Sequence, residues 1–286
     1  MVANTVDIID TTFDKYFSIE YTLSILIGMD SFFYFIEDAH SNALVLKHIR
    51  FDLDKDNSLQ GKDVALQKIL MTEKFLQLPY AHVNICYAGN NFTIVPEEIF
   101  NKHHLKSYLS QVTRIQDDHA VAMCRLNNLD STIVYSVEKV VMDVAKSYFP
   151  GARHLHIISP LIMQAFQHTQ NHTGHQVFIH VGNGILGMIL FKGNALILAN
   201  TYRFESNQDF LYQALSIYDQ FKLDPETVPL ILTGRVQKKS ELYELMQTYI
   251  RKIEFKQSPS YYHYGPTFQD VNFHYYHDLL SIKLCV

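Results

Sequence analysis

Two stretches of this chain repeat one pattern, and such a repeat constrains the fold more tightly than any bulk property. Residues 23–51 read LSILIGMDSFFYFIEDAHSNALVLKHIRF, and residues 177–204 read VFIHVGNGILGMILFKGNALILANTYRF. Each runs from an apolar segment through a glycine-centred turn into a second apolar segment. A polar turn, Asn-Ala-Leu, a third apolar segment and Arg-Phe follow. Gly28 aligns with Gly182, Asn42 with Asn194 and Arg50 with Arg203. The slips in alignment fall in turns, where insertions cost little. Three β-rich runs joined by short turns predict a three-stranded antiparallel meander, and the chain is expected to build it twice.

The segments after each meander also match in kind. Residues Gln60 to Leu78 show helical spacing (Leu66, Ile69, Leu70, Phe75) up to Pro79, and a strand is expected at His82–Tyr87. After the second meander the spacing predicts a helix over Asn207–Leu223, with Asn207 as its cap, a strand over Val228–Leu232, and a helix over Ser240–Tyr249. The first half continues with an expected strand Thr132–Ser136, helix Val137–Tyr148, strand His154–Ile158 and helix Pro160–Gln170. Meanders followed by alternating helices and strands imply mixed sheets with helices on their faces. Residues 89–130 stand outside the repeat and read as an inserted subdomain, with a strand at Phe92–Val95 and a polar helical stretch through Asp117-Asp118-His119. The expected division is 1–172 for the first half and 173–286 for the second, at the polar linker around QNHTGH.

Composition excludes several classes. Of the 286 residues 48% are hydrophobic and 19% charged, as in a globular chain and unlike a disordered one. Lys+Arg number 24 against Asp+Glu 29, so no overall basic field is present to hold nucleic acid. The longest apolar runs, such as Phe32–Ile36, are far short of the ~20 residues that span a bilayer, so no membrane insertion is expected. The N-terminus carries Asp7, Asp10 and Asp14 before any basic residue, unlike a signal peptide. Cys86, Cys124 and Cys285 are unpaired in spacing, which suits a reducing, cytoplasmic compartment.

A duplicated β-β-β-α-β-α unit with a tight glycine turn between its first two strands resembles the actin-like ATPase superfamily, a ribonuclease H-like α/β fold. The order and spacing are most similar to the bacterial actin-like proteins of type IV pilus assembly and type II secretion. A closer resemblance, carried by FPGARHLHIISPLI (149–162) and VPLILTGRVQKKSELYELMQTYI (228–250), is to an uncharacterised bacterial family of about this length. It covers the chain roughly from Phe13 to Phe255.

In active members of that superfamily each meander opens with Asp-x-Gly, the carboxylate helping to hold metal and water near the phosphates. Here the two positions read Leu26-Ile27-Gly28 and His180-Val181-Gly182. Leucine cannot hold Mg²⁺, and histidine suits a hard, oxygen-preferring ion poorly. Asp30 lies near the first turn, where a polar residue also serves by satisfying local N–H groups. The superfamily's later Gly-Gly turn reads Gly234-Arg235 here. The resemblance therefore implies a degenerate nucleotide cleft composed of Gly28, Asp30, Gly182, Asn183, Gly184, Gly234 and Arg235. No catalytic residue and no metal ligand is assigned. The expectation is a non-catalytic, cytoplasmic interaction or scaffold module without a cofactor. Its partner is expected to be another protein or a peptide, and a homodimer through the tail or an edge strand is compatible with the sequence. The alternative is a nucleotide-binding protein, a weak ATPase or small-molecule kinase, holding ATP and Mg²⁺.

Other constellations are weaker. His274 and His277 at i and i+3, His154 and His156, and His103 and His104 lack the acidic or cysteine companions of a zinc centre. Glu97-Glu98 after Pro96 reads as a helix start with acids complementing the dipole. No Gly-x-Ser-x-Gly elbow or P-loop is present. Residues Tyr261 to Tyr276 hold five Tyr and two Phe, expected to cover a hydrophobic face rather than to form an interface.

Overall fold

The meanders form where the repeat places them. The computed structural model describes residues 6–51, 61–182 and 185–286. After a short strand β1 (Asp7–Ile9), β2 (Thr22–Ile27), β3 (Ser31–Glu37) and β4 (Ala43–Arg50) pair antiparallel in succession. Every residue of β3 is buried, which explains why it reads as one unbroken apolar run. The helix α1 (Lys62–Thr72) leads to β5 (His82–Tyr87), which lies parallel to β2. Gln60, where the helical spacing begins, lies outside the described residues. Then come β6 (Phe92–Pro96), α2 (Leu105–Ser110), β7 (His119–Leu126), β8 (Ser131–Glu138), α3 (Lys139–Tyr148) and β9 (Arg153–His156). The large sheet has the order β1-β4-β3-β2-β5-β9, and β6-β8-β7 make a separate small sheet.

Several expectations are corrected here. The strand expected at Thr132–Ser136 exists as β8, but it belongs to the small sheet with β6 and β7. The helical stretch expected through Asp117-Asp118-His119 ends early: α2 stops at Ser110, and His119–Leu126 is β7. HAVAMCRL lacks any turn residue and pairs along its whole length with β8, so sheet pairing overrides the local reading. Glu97 and Glu98 open a three-residue 3₁₀ turn, and Glu97 takes Arg125 at 3.0 Å instead of serving a helix dipole. The small sheet has its own core of Val95, Leu109 and Val134.

The second sheet follows α4 (Ile158–Thr169). Its strands β10 (His175–Gly182), β11 (Ile185–Lys192) and β12 (Ala195–Arg203) form the second meander. The helix α5 (Asn207–Gln220) leads to β13 (Leu230–Gly234), α6 (Glu241–Gln247) and β14 (Ile253–Phe255), in the order β12-β11-β10-β13-β14. With β1 set aside, both large sheets share one strand order. The cap of α5 is Ser206, not Asn207: the Asp209 N–H donates to Ser206 Oγ, and the Ser206 N–H donates back to Asp209 Oδ2, a reciprocal capping box. Val177, Ile179, Met188 and Leu190 pack with Phe210, Ala214 and Ile217 into the core of this sheet.

Compactness groups the chain into two units. One runs to Ile157 and includes Ser260–Val271; the other comprises Ile158–Pro259 and Asn272–Val286. The helix α4 packs on β11 and on the C-terminal turn Ser281–Cys285, so it groups with the second sheet although the repeat reading closes the first half with it. The aromatic tail is shared. Tyr262 and Phe268 are buried in the first unit; Tyr276, Leu279, Leu280 and Ile282, around the single turn α7 (His277–Leu280), are buried in the second.

Candidate functional site

The expected signature residues of the second unit converge at the ends of β10 and β13. These strands run parallel, with His180 beside Thr233 and Val181 beside Gly234. Gly234 has φ +86°, and a Cβ there would collide with the Val181 carbonyl. The glycine lets the backbone close up, so that the Arg235 N–H donates to Val181 O at 2.6 Å. Gly182 is required for a different reason. A Cβ on it would stand 2.9 Å from His180 Nε2, so its absence makes room for the imidazole.

Both nitrogens of His180 are engaged. Nδ1 lies 3.0 Å from Thr233 Oγ1, and Nε2 lies 3.2 Å from Asp278 Oδ2, with side-chain exposures of 7% and 14% for His180 and Asp278. Asp278 comes from α7, and its other oxygen accepts the Leu279 N–H at 2.8 Å. Burial pushes the Asp278 carboxyl up, but His180 beside it, the Leu279 N–H and the Arg235 charge outweigh burial and hold it below the usual carboxylate range. Beside an ionised Asp278, Nε2 carries the proton that it donates to Oδ2, while Nδ1 shares a hydrogen bond with the Thr233 hydroxyl. At the strand position where the resemblance expects a carboxylate, this chain thus has an imidazole, and a carboxylate reaches it from the C-terminal turn.

The neighbouring histidines of the tail point elsewhere. His274 Nε2 donates to the Val236 carbonyl at 3.0 Å, and His277 Nε2 donates to Gln257 O at 2.6 Å. Burial pulls the His277 imidazole down to about 3, so it is neutral. These two side chains serve separate carbonyls and do not form a shared pair. No group of three His, Cys, Asp or Glu suited to a metal ion occurs among the described residues. In the first unit His154 Nδ1 lies 2.9 Å from the Tyr87 hydroxyl, and His156 is fully buried, its imidazole pulled down to about 3 by burial.

The remaining signature positions lie in the first unit or outside the described residues. The Gly28 N–H donates to Ser31 O at 2.8 Å, and this hydrogen bond closes the β2–β3 turn. Asp30 is exposed, and its Oδ1 accepts the Ser31 hydroxyl at 2.8 Å. That is the local turn role open to a polar residue there. Leu26 is buried in the strand. Asn183 and Gly184 lie outside the described residues. Of the expected set, Gly182, Gly234 and Arg235 come together around His180. Sequence reasoning missed Thr233 and Asp278. Thr233 could have been found from strand register, whereas Asp278 sits in an irregular aromatic segment with no periodic signal.

The sheets and their order define a protein of the actin-like ATPase fold. A Bacteroides thetaiotaomicron protein with actin-like ATPase fold and unknown function matches at TM-score 0.78 and 22% identity, over 86% of this chain and 94% of that one. A chain of the PilM–PilN type IV pilus biogenesis complex matches at TM-score 0.57 and 11% identity, over 93% and 98%. The ethanolamine utilization protein EutJ from Carboxydothermus hydrogenoformans matches at 0.51 and 9%, over 98% and 93%. Within that fold the chain belongs to the family of proteins of unknown function DUF3822, which it matches over residues 10–253. No curated protein sequence matches it.

Proposed function

We propose that this protein is a non-catalytic member of the actin-like fold that works by binding another protein or peptide. The observation that supports this most is His180. It replaces a metal-holding carboxylate, and both ring nitrogens are committed to groups of its own unit. A Mg²⁺–phosphate group at that strand end would need an oxygen ligand free of partners, and the carboxylate nearest His180 is spent on the imidazole. Leu26 at the other signature position offers no oxygen at all. The shared strand order supports reading the two large sheets as products of an internal duplication that kept the architecture and lost the hydrolytic groups. The protein-binding half of the proposal draws on likeness alone: a chain of similar fold belongs to the PilM–PilN complex. No helix among the described residues is long and apolar enough to cross a membrane.

Thermal unfolding with Mg-ATP, Mg-ADP and Mg-GTP tests the reading. A nucleotide at about 100 times its Kd stabilises by ~2.7 kcal/mol, which moves Tm by a few degrees in a chain of this size. The expected result is no shift and no hydrolysis. A reproducible shift with any nucleotide would overturn the non-nucleotide reading and return Asp30, Gly182–Gly184 and Arg235 to a ligand role.

A further inference from the structure

Directly after β14, the Lys256 N–H donates to Leu232 O at 3.0 Å, which fixes the backbone at the end of the strand. The Lys256 side chain meets the last turn of α4, where its Nζ lies 2.8 Å from His168 Nδ1. His172 stacks on His168, with ring centroids 5.2 Å apart and planes 8° from parallel, and its Nδ1 donates to His168 O at 3.0 Å. His172 is exposed, and Lys256 and His168 are half-buried, so the corner is tight but open to small solutes.

Two basic nitrogens in hydrogen-bond contact hold one proton between them, not two. An ammonium that faces an imidazole also lacks the counterion that keeps a half-buried lysine charged. Among the described residues Lys256 forms no ion pair. The acid that acts on it, Glu254 on β14, is exposed and does not touch it. From α4 and the turn after it come His168 and His172, and from α7 comes His277. His277 donates through Nε2 to the carbonyl of Gln257, the residue after Lys256, and its buried Nδ1 has no partner among the described residues. Three imidazoles and no touching carboxylate thus surround one amine. Burial outweighs Glu254 and brings Lys256 down to about 8. At pH 7.5 about a quarter of it is then free amine, against about one in a thousand for an ordinary lysine. Nucleophilicity falls less steeply than basicity, so the larger free fraction wins.

We propose that Lys256 is a site of covalent acylation, taking an acyl group from an acyl phosphate or a thioester, with His168 positioning the amine. The unprotonated Nζ attacks the acyl carbon and an N–C bond forms. The bond from that carbon to the phosphate oxygen or the sulfur breaks, the leaving group keeps the electron pair, and the amine's proton passes to solvent. The product amide is uncharged, so the modification removes the cation from beside the imidazoles. This site is independent of the His180 corner and of the nucleotide and partner questions.

Incubation of the full chain with acetyl phosphate, and separately with S-acetyl-N-acetylcysteamine, followed by peptide mass spectrometry is the direct test. At pH 7.5 Lys256 is expected to acetylate about tenfold faster than the exposed Lys68 and Lys146. Its rate should reach half of its plateau near pH 8, and the faster donor names the source of the acyl group. His168→Glu supplies the missing counterion; it should slow Lys256 at least about tenfold at pH 7.5 and move the half-point up by about one unit or more. His168→Gln keeps a neutral acceptor and should leave both near the parent values, a contrast that a merely structural role for His168 would not produce. Lys256 reacting no faster than Lys68, a half-point at the ordinary lysine value, or undiminished reaction in His168→Glu would overturn the proposal.

Discussion

Replacing Asp278 by alanine removes the acceptor from His180 Nε2 at a site where water is nearly excluded. A buried donor left unsatisfied costs ~1–3 kcal/mol, and Asp278→Ala is expected to lower the unfolding free energy by about that much in urea titration at neutral pH. Asp278→Asn keeps a carbonyl acceptor and should lose less. If both variants match the parent, the His180–Asp278 contact contributes nothing to the fold, and the description of this corner fails. That Leu26 and His180 each stand two residues before a turn glycine was legible from the sequence, and the resemblance marks those positions as the ones to compare. What His180 touches was not legible. Its partner Asp278 lies far along the chain, in a turn that only packing creates.

Among the elements, helix ends show where local rules suffice and where they slip. The reading of α5 as a helix needs only its apolar spacing, but its start depends on which of two adjacent polar residues folds back. The structure gives that role to Ser206, whose hydroxyl accepts the Asp209 N–H at 3.1 Å. Ser206→Ala should therefore cost ~1 kcal/mol, while Asn207→Ala should be near neutral, both read from thermal or urea unfolding. The opposite ranking would restore Asn207 as the cap. Strands carry a harder ambiguity. The apolar run of β8 announces a strand, but nothing within the run says that it joins β6 and β7 instead of the large sheet.

Over the whole molecule, buried neutral histidines make the fold sensitive to acid. Burial holds His156 and His277 down to about 3 and His168 down to about 4, against an ordinary value of 6.5. Unfolding releases these imidazoles to water, where they take up protons as pH falls below about 6.5. The unfolded chain then binds more protons than the folded one, so stability is greatest above that value and declines steadily as pH falls toward 4. Asp278 and Asp10, both held below the usual carboxylate range, add a further loss at still lower pH, once they protonate in the fold. A Tm that falls between pH 7.5 and pH 5 is expected in calorimetry; a flat profile would show that the imidazoles are not kept neutral.

Taken by itself, the amino-acid sequence determined the two meanders, the glycine turns that close them and the helices that follow. Each depends on spacing and turn chemistry within a few residues, which any window of the chain displays. Only the tertiary structure decided that β8 belongs to a separate sheet, that α4 packs with the second unit, and that Asp278 reaches back to His180. Those outcomes rest on contacts between residues distant in sequence, and such contacts are chosen by how whole elements bury their faces and satisfy their polar groups, which no local pattern records.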